Sequence, residues 1–283
     1  MKKKNVVVTG GSGYLGSHVK SYFEAADLSR RSGFDIISNI EDVKKIADFD
    51  VVIHMAALVD KRPEAANRTF EVNVNGTLNL LQSLREGQIF IFCSTKDVYG
   101  NNVDKYNTVP ETCSTEYIGQ GAYEWSKLIA EKYVQFYCNK AKVRHAIFRL
   151  STIYAKASPE NRGGFVSFFA DSIINGKPLH LKMLGKQRRD LLHVTDLASA
   201  FESFIDSHID AGLYNIGGGE ANSITLYELT RLLGRLSRQK PNLTLSEEAV
   251  KEQIHYVTDL AKIERELGWT PKITIEEGLR RIL

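Results

Sequence analysis

Val6-Val7-Val8-Thr9-Gly10-Gly11-Ser12-Gly13-Tyr14-Leu15-Gly16 decides how the rest of the chain is read. Three β-branched apolar residues make a short buried strand, and a glycine-rich turn follows at once. Read from Gly11 the turn is Gly-x-Gly-x-x-Gly; read from Gly10 it is Gly-x-x-Gly-x-x-Gly. Glycine there admits positive φ and lets a pyrophosphate approach the backbone. A helix beginning at Tyr14 presents free N–H groups and the positive end of its dipole to that anion. Strand, turn and helix in this order make Gly10, Gly13, Tyr14, Leu15 and Gly16 candidate dinucleotide-binding residues.

Outward from this turn, short apolar runs alternate with helical segments. Asn5–Thr9, Val51–His54, Ile89–Ser94 and Arg144–Leu150 read as buried strands. Helices are expected over Tyr14–Ala25, over a segment ending near Leu84, and over Ala122–Asn139. β-branched strands separated by helices imply an α/β fold with a doubly wound parallel sheet covered on both faces. Right-handed crossovers place the strand C-termini on one edge, where ligands bind. After Tyr154 the alternation weakens: a loop at Asn161–Gly164, a helix over Phe165–Asn175, a turn at Gly176-Lys177-Pro178. A helix follows over Asp196–Asp206 with Asp196 placed to cap it, then a strand at Tyr214–Ile216 and helices at Leu226–Leu236 and Thr258–Leu267. The expected division is a dinucleotide-binding part over residues 1–154 with about 190–216, and a smaller α/β substrate lobe over about 155–189 and 217–283.

Composition narrows the class. Lysine and arginine number 37 against 34 acidic residues, too even a balance for a nucleic-acid binder, and the longest basic block is Lys2-Lys3-Lys4. Cys93, Cys113 and Cys138 have no metal-ligand spacing and are odd in number, which fits a reducing, cytoplasmic setting and no metal site. Met1–Lys4 is followed by too short an apolar run for a signal peptide, and no stretch approaches the ~18 apolar residues of a membrane span.

The choice of cofactor turns on the stretch about 20 residues beyond the glycine turn, where an acid commonly bonds the ribose 2′-hydroxyl. Ala26-Asp27-Leu28-Ser29-Arg30-Arg31 occupies it. A serine falls where the acid is expected, and Arg30 and Arg31 follow, which suits a 2′-phosphate. NADP(H) is therefore favoured and NAD(H) remains the alternative, with Asp27 as the acid if the strand is shifted by two residues.

Tyr123-Glu124-Trp125-Ser126-Lys127 places a phenol and an ammonium one turn apart on one helix face. At ~4 Å and an effective dielectric of ~20 the two interact by roughly 4 kcal/mol, enough to lower the tyrosine into a useful acid–base range. Thr95, ending a strand, is placed to bond the same substrate oxygen. Thr95, Tyr123 and Lys127 are the candidate catalytic residues, with Lys127 also gripping the cofactor ribose.

The ordered set of segments resembles the extended short-chain dehydrogenase/reductase family, in its NAD(P)-dependent nucleotide-sugar epimerase, dehydratase and 4-ketoreductase group. The likeness runs through Thr9–Gly16, His54-Met55-Ala56-Ala57, Asn73-Val74-Asn75-Gly76-Thr77, Ser94–Gly100, Tyr123-x3-Lys127, Arg149–Tyr154, Gly185–Asp190, Tyr214–Gly217 and Leu267–Pro271. It implies a Rossmann-type fold, adenine contacts at Asp35 and Ile36, cofactor contacts at Ala56 and Ala57, and a supporting role for Asn73. It implies substrate contacts at Ser94, Thr95 and Thr152, and a diphosphate anchor at Arg189. His54 and Asp196 are left out of catalysis, as strand packing and a helix cap.

Departures from the family pattern choose the reaction. Lys96-Asp97 stands where similar 4,6-dehydratases carry Asp-Glu, which disfavours elimination of water. With Arg30 and Arg31, the reading is an oxidoreductase that reduces a nucleotide-linked 4-keto (6-deoxy) sugar at C4, Tyr123 donating the proton. The alternative is an NAD-dependent nucleotide-sugar 4-epimerase. The expected partner is a nucleotide sugar, with neither nucleic acid nor membrane, and the family likeness implies a homodimer.

Overall fold

The computed structural model describes residues 4–38, 40–161, 163–250 and 253–283. Lys2 and Lys3 of the basic block, and Arg162 of the expected 161–164 loop, lie outside the described residues.

Six parallel strands form the main sheet in the order Ala26–Leu28, Val6–Thr9, Val51–His54, Ile89–Thr95, Arg144–Leu150, Ala211–Ile216. Alternate residues of a strand face opposite ways, and both faces here are apolar. Val6, Val8, Val51 and Ile53 join one core with Val19, Leu197, Phe201 and Phe204. Val7, Val52, Phe90 and Phe92 join the other with Leu80, Ala130, Val134 and Cys138. The helices Tyr14–Phe23 and Val194–Asp206 therefore cover one face, and Gly76–Gln82 and Ala122–Lys140 the other. Burial on both sides explains why the strands read as unbroken apolar runs. The expected α/β fold, a Rossmann-like doubly wound sheet, is what the chain adopts.

Three elements differ from the expectation, the first being the helix expected from Thr258, which begins at Ala261 while Thr258 pairs with Val109. The helix expected to run to Leu84 is broken into Ala66–Phe70, a wide π-turn at Glu71–Asn75, and Gly76–Gln82. The wide turn carries Asn73, whose side chain is bonded outside the helix, a common reason for such bulges. Asp196 does not cap its helix. His193 is the cap residue, and Asp196 Oδ2 instead accepts from Lys272 N at 3.1 Å and Ile273 N at 2.9 Å, tying the C-terminal segment to the helix.

A second sheet lies beyond the C-terminal edge of the first. Arg188–His193 is its central strand, flanked by Ser223–Thr225 antiparallel and by His255–Tyr256 and Thr152–Tyr154 parallel. Its own apolar cluster includes Tyr154, Leu191, Phe169, Leu229 and Leu279. Asp190 fastens the two parts: its carboxylate accepts from Ser151 Oγ, Gly219 N and Thr258 N. A Cβ on Gly217 would lie 2.1 Å from Asp190 Oδ2, so only glycine fits there. Among the described residues no helix is long and apolar enough to cross a membrane.

Candidate active site

The first strand ends at Thr9, and Gly10 turns the chain with φ +76°. A Cβ on Gly10 would sit 2.7 Å from Ala56 N, and one on Gly16 2.1 Å from Gly10 O. Both glycines are required for the turn to close over the next strand. The helix Tyr14–Phe23 starts directly behind Gly13, so its first N–H groups point at the turn.

Asp27 resolves the register left open by the sequence. The second strand is Ala26–Leu28, in register with Val7–Thr9, and Gly10 N bonds Leu28 O at 3.0 Å. Ser12 Oγ donates to Asp27 Oδ2, and Ser29 Oγ to Ser12 Oγ at 2.8 Å. Asp27 Oδ1 is buried without a hydrogen-bond partner, 2.7 Å from where a Gly11 Cβ would stand. An acid on the second strand beside the glycine turn is the residue type a ribose hydroxyl bonds, so these residues fit a dinucleotide. Arg31, expected at a 2′-phosphate, bonds Ser12 O at 2.9 Å, Glu160 O at 2.8 Å and Asn161 Oδ1 at 3.2 Å. It clamps the 160–161 segment onto the glycine turn. Arg30 is exposed on the short turn Arg30–Ser32.

Other expected cofactor residues have mixed surroundings. Asp35 Oδ1 accepts from Ile37 N at 2.9 Å, which holds its carboxyl below the usual range. Ile36 is buried against Gly76, and its carbonyl accepts from Asn79 Nδ2. Ala56 and Ala57 are partly exposed on the loop after the third strand, Ala56 touching Gly10. Asn73 is a bracket: it exchanges two hydrogen bonds with the Leu58 backbone and donates to Ser126 Oγ at 2.9 Å. Ser126 Oγ in turn donates to Tyr123 O at 2.7 Å. His54 is held between Thr9 and Thr77, with burial pulling its pKa down to about 3.

Thr95, Tyr123 and Lys127 converge at the C-terminal edge of the sheet. Tyr123 and Thr95 both line a cleft of about 800 Å³ between the two sheets. Burial, with the nearby Asp97 carboxylate, pushes the Tyr123 phenol above its ordinary range; Lys61 and Thr95 oppose that. Lys127 follows Tyr123 by one turn of the same helix. Its ammonium lies 4.5 Å from the Phe92 ring centroid, and burial pulls its pKa down to about 8.

The cation beside the phenol is Lys61, which the sequence reading did not single out. Lys61 Nζ lies 5.9 Å from the Tyr123 ring centroid, 2.8 Å from Asp97 Oδ2 and 2.9 Å from Glu124 Oε1. Lys96 Nζ takes the other oxygen of Asp97 at 2.6 Å and Gln253 Oε1 at 2.6 Å. Burial opposes the charge on Asp97, but the two ammoniums outweigh it and hold the carboxyl well below its usual range. A carboxylate clamped in this way is a poor proton donor at neutral pH.

Ser94 lines the same cleft but directs its hydroxyl at Glu131 Oε1, 2.5 Å away. Glu131 is bound bidentate by Arg149, at 3.0 and 2.6 Å, and Arg149 stacks 4.7 Å from the Tyr99 centroid. The hydroxyl expected to meet substrate thus belongs to a buried ion pair under the site. Thr152 lines the cleft at the start of its strand. Arg189 also lines it, buried, and donates to Arg188 O, Ile254 O and Gln253 O. The second sheet's central strand thus holds a guanidinium across the cleft from Tyr123.

The chain is similar along its length to known proteins. The chain is 29% identical to the CDP-paratose 2-epimerase of Salmonella typhi, covering 98% of this chain and 97% of that protein. It is 28% identical to the dTDP-glucose 4,6-dehydratase of Neisseria gonorrhoeae, covering 99% and 94%. The crystal structure of the Thermotoga maritima UDP-glucose 4-epimerase with UDP-glucose superposes with a TM-score of 0.84 at 25% identity, covering 98% and 97%. Residues 6–217 match the profile of the NAD dependent epimerase/dehydratase family. The chain is an extended short-chain dehydrogenase/reductase enzyme and belongs to the NAD-dependent nucleotide-sugar epimerase/dehydratase family.

Proposed function

We propose that this enzyme is an epimerase of a nucleotide sugar that keeps one NAD through the whole cycle. The observation that carries this is Asp27, whose carboxylate stands on the second strand beside the glycine turn and accepts from Ser12 Oγ. A carboxylate there accepts from a ribose 2′-hydroxyl and repels a 2′-phosphate. This reverses the preference for NADP(H) that Arg30 and Arg31 suggest in the sequence.

The bound nicotinamide supplies hydride acceptance and return. Arg189 holds the diphosphate of the substrate, and Thr152 and Thr95 line the path of its sugar. Tyr123 takes the proton of the sugar hydroxyl as the carbinol becomes a ketone, and gives it back to the alkoxide after the sugar presents its other face. Thr95 hydrogen-bonds the same oxygen in both directions. Lys127, with a pKa lowered to about 8, supplies a ribose contact from beneath. Phe136, exposed beside Tyr137 on the Tyr123 helix, supports a homodimer built through that helix.

A second reading keeps the same residues. Arg30, exposed beside the turn, suits an enzyme that reduces a 4-keto nucleotide sugar with NADP(H). The two are separated by incubating the purified protein with UDP-, dTDP-, CDP- and GDP-sugars without reductant. An epimeric product from the protein's own cofactor is expected. Product that forms only when NADPH is added to a 4-keto sugar would replace the epimerase with the reductase.

A further inference from the structure

We propose that Lys61 is a positioning residue for Tyr123, its ammonium fastened over the ring by Asp97 and Glu124 so that the phenol stays aimed toward Thr95 and its conjugate base is stabilised. The proposal rests on the reading of Tyr123 as the group that carries the proton.

Four observations place Lys61 there. It projects from the loop after the third strand, and its neighbours lock that loop: Arg62 grips Asp60 through Nε and Nη2, the shorter contact at 2.6 Å. Asn73 joins the same loop to the Tyr123 helix, through Leu58 on one side and Ser126 on the other. The ammonium is held by two carboxylates from two further elements, Asp97 after the fourth strand and Glu124 in the first turn of the helix. Glu124 is itself fixed, because its Oε2 accepts from Gly121 N at 2.9 Å. The result is a cation anchored to the helix that bears Tyr123 and to the loop next to Thr95.

Lys127, one turn on along the same helix, has its ammonium against Phe92, and the carboxylate acting on it is Glu131. The charged groups that face Tyr123 are Lys61 from the third-strand loop, Asp97 from the fourth-strand loop and Glu124 from its own helix. The two carboxylates disfavour a phenolate and Lys61 is the group that offsets them. Removing its charge while keeping its length would leave Asp97 held by Lys96 alone and Glu124 without its ammonium.

The test compares Lys61→Met and Lys61→Arg with the parent, all loaded with NAD. Tetranitromethane, which nitrates the phenolate, is the probe, and nitration of the Tyr123 peptide is followed by mass spectrometry near pH 8.5. Lys61→Met is expected to slow nitration of Tyr123 about tenfold, with Lys61→Arg near the parent and Asp97→Asn faster than it. Equal NAD binding by all variants certifies that they fold. In the sugar panel, the acidic limb of the Lys61→Met pH profile, set by the proton Tyr123 must lose to act as base, is expected to move upward, with KM little changed. Unchanged nitration in Lys61→Met overturns the proposal, whatever the panel yields. A slowed nitration with no turnover of any nucleotide sugar by the parent keeps Lys61 in place and removes the epimerase reading instead.

Discussion

Ser12 Oγ donates to one oxygen of Asp27 while the other oxygen is buried and unpartnered against Gly11. On the proposed reading, this carboxylate is the acceptor for the ribose 2′-hydroxyl of NAD. A charge-assisted hydrogen bond contributes roughly 1.5–3 kcal/mol. Asp27→Ala is therefore expected to weaken NAD by about tenfold to a hundredfold and to leave NADPH unchanged or improved. Calorimetric titration of the two cofactors reads this directly, and parallel losses for both would remove Asp27 from the ribose site.

Arg31 gives the complementary prediction. Its donors go to Ser12 O, Glu160 O and Asn161 Oδ1, so Arg31→Ala is expected to loosen the 160–161 segment without discriminating between cofactors. Limited proteolysis near residue 160 should quicken, and NAD and NADPH affinities should change by the same factor. A loss confined to NADPH would restore the 2′-phosphate reading.

The pair Arg149–Glu131 lies beneath the site at 2.6 Å, both side chains almost fully buried. Breaking one partner leaves an uncompensated charge, at a cost of about 3–5 kcal/mol. Glu131→Ala should show that loss in a denaturant melt, whereas Glu277→Ala, which breaks the exposed pair with Arg281, should cost no more than about 0.5 kcal/mol. Similar losses for the two would mean that burial of the Arg149 pair does not set its weight.

Lys127 makes stability depend on pH. Its folded pKa of about 8 lies below the ~10.4 of an unfolded lysine. Between those values the unfolded chain binds a proton that the folded one has released, so this group favours folding more as pH rises through that window. Below it, the buried ammonium carries a constant penalty. Lys127→Met should exceed the parent in stability by on the order of 3 kcal/mol near neutral pH, with the gap closing toward pH 10 and turnover lost. A gap independent of pH would show that Lys127 titrates normally.

Local features were legible from the sequence and long-range ones were not. Val51–His54 and Arg144–Leu150 match their strands to the residue because both faces of each are buried. The glycine turn and the i, i+4 pair Tyr123–Lys127 were readable because their spacing is local. Asp27 stayed ambiguous because the strand that carries it is three residues long at the sheet edge, where periodicity says little. Lys61 was missed because its partners lie 36 and 63 positions away, and a lone lysine in a polar loop carries no pattern. The single available signal was Glu124, three residues after Gly121 at a helix start, an arrangement that fixes a carboxylate in place. The bond from Ser94 to Glu131 was not readable for the same reason, since Glu131 reaches it only through the packing of a helix on the sheet.

The central claim is that one NAD, held at Asp27, removes and returns the same hydride while Tyr123 moves the proton. It is tested most directly with the nucleotide sugar that the panel selects, carrying deuterium at the carbon that inverts, given to the purified enzyme in ordinary water without added cofactor. The account predicts an epimerised product that keeps its deuterium at that carbon, and no product from Tyr123→Phe with NAD still bound. Product in which the deuterium has been replaced by solvent hydrogen, or turnover that requires added NADPH, would contradict it.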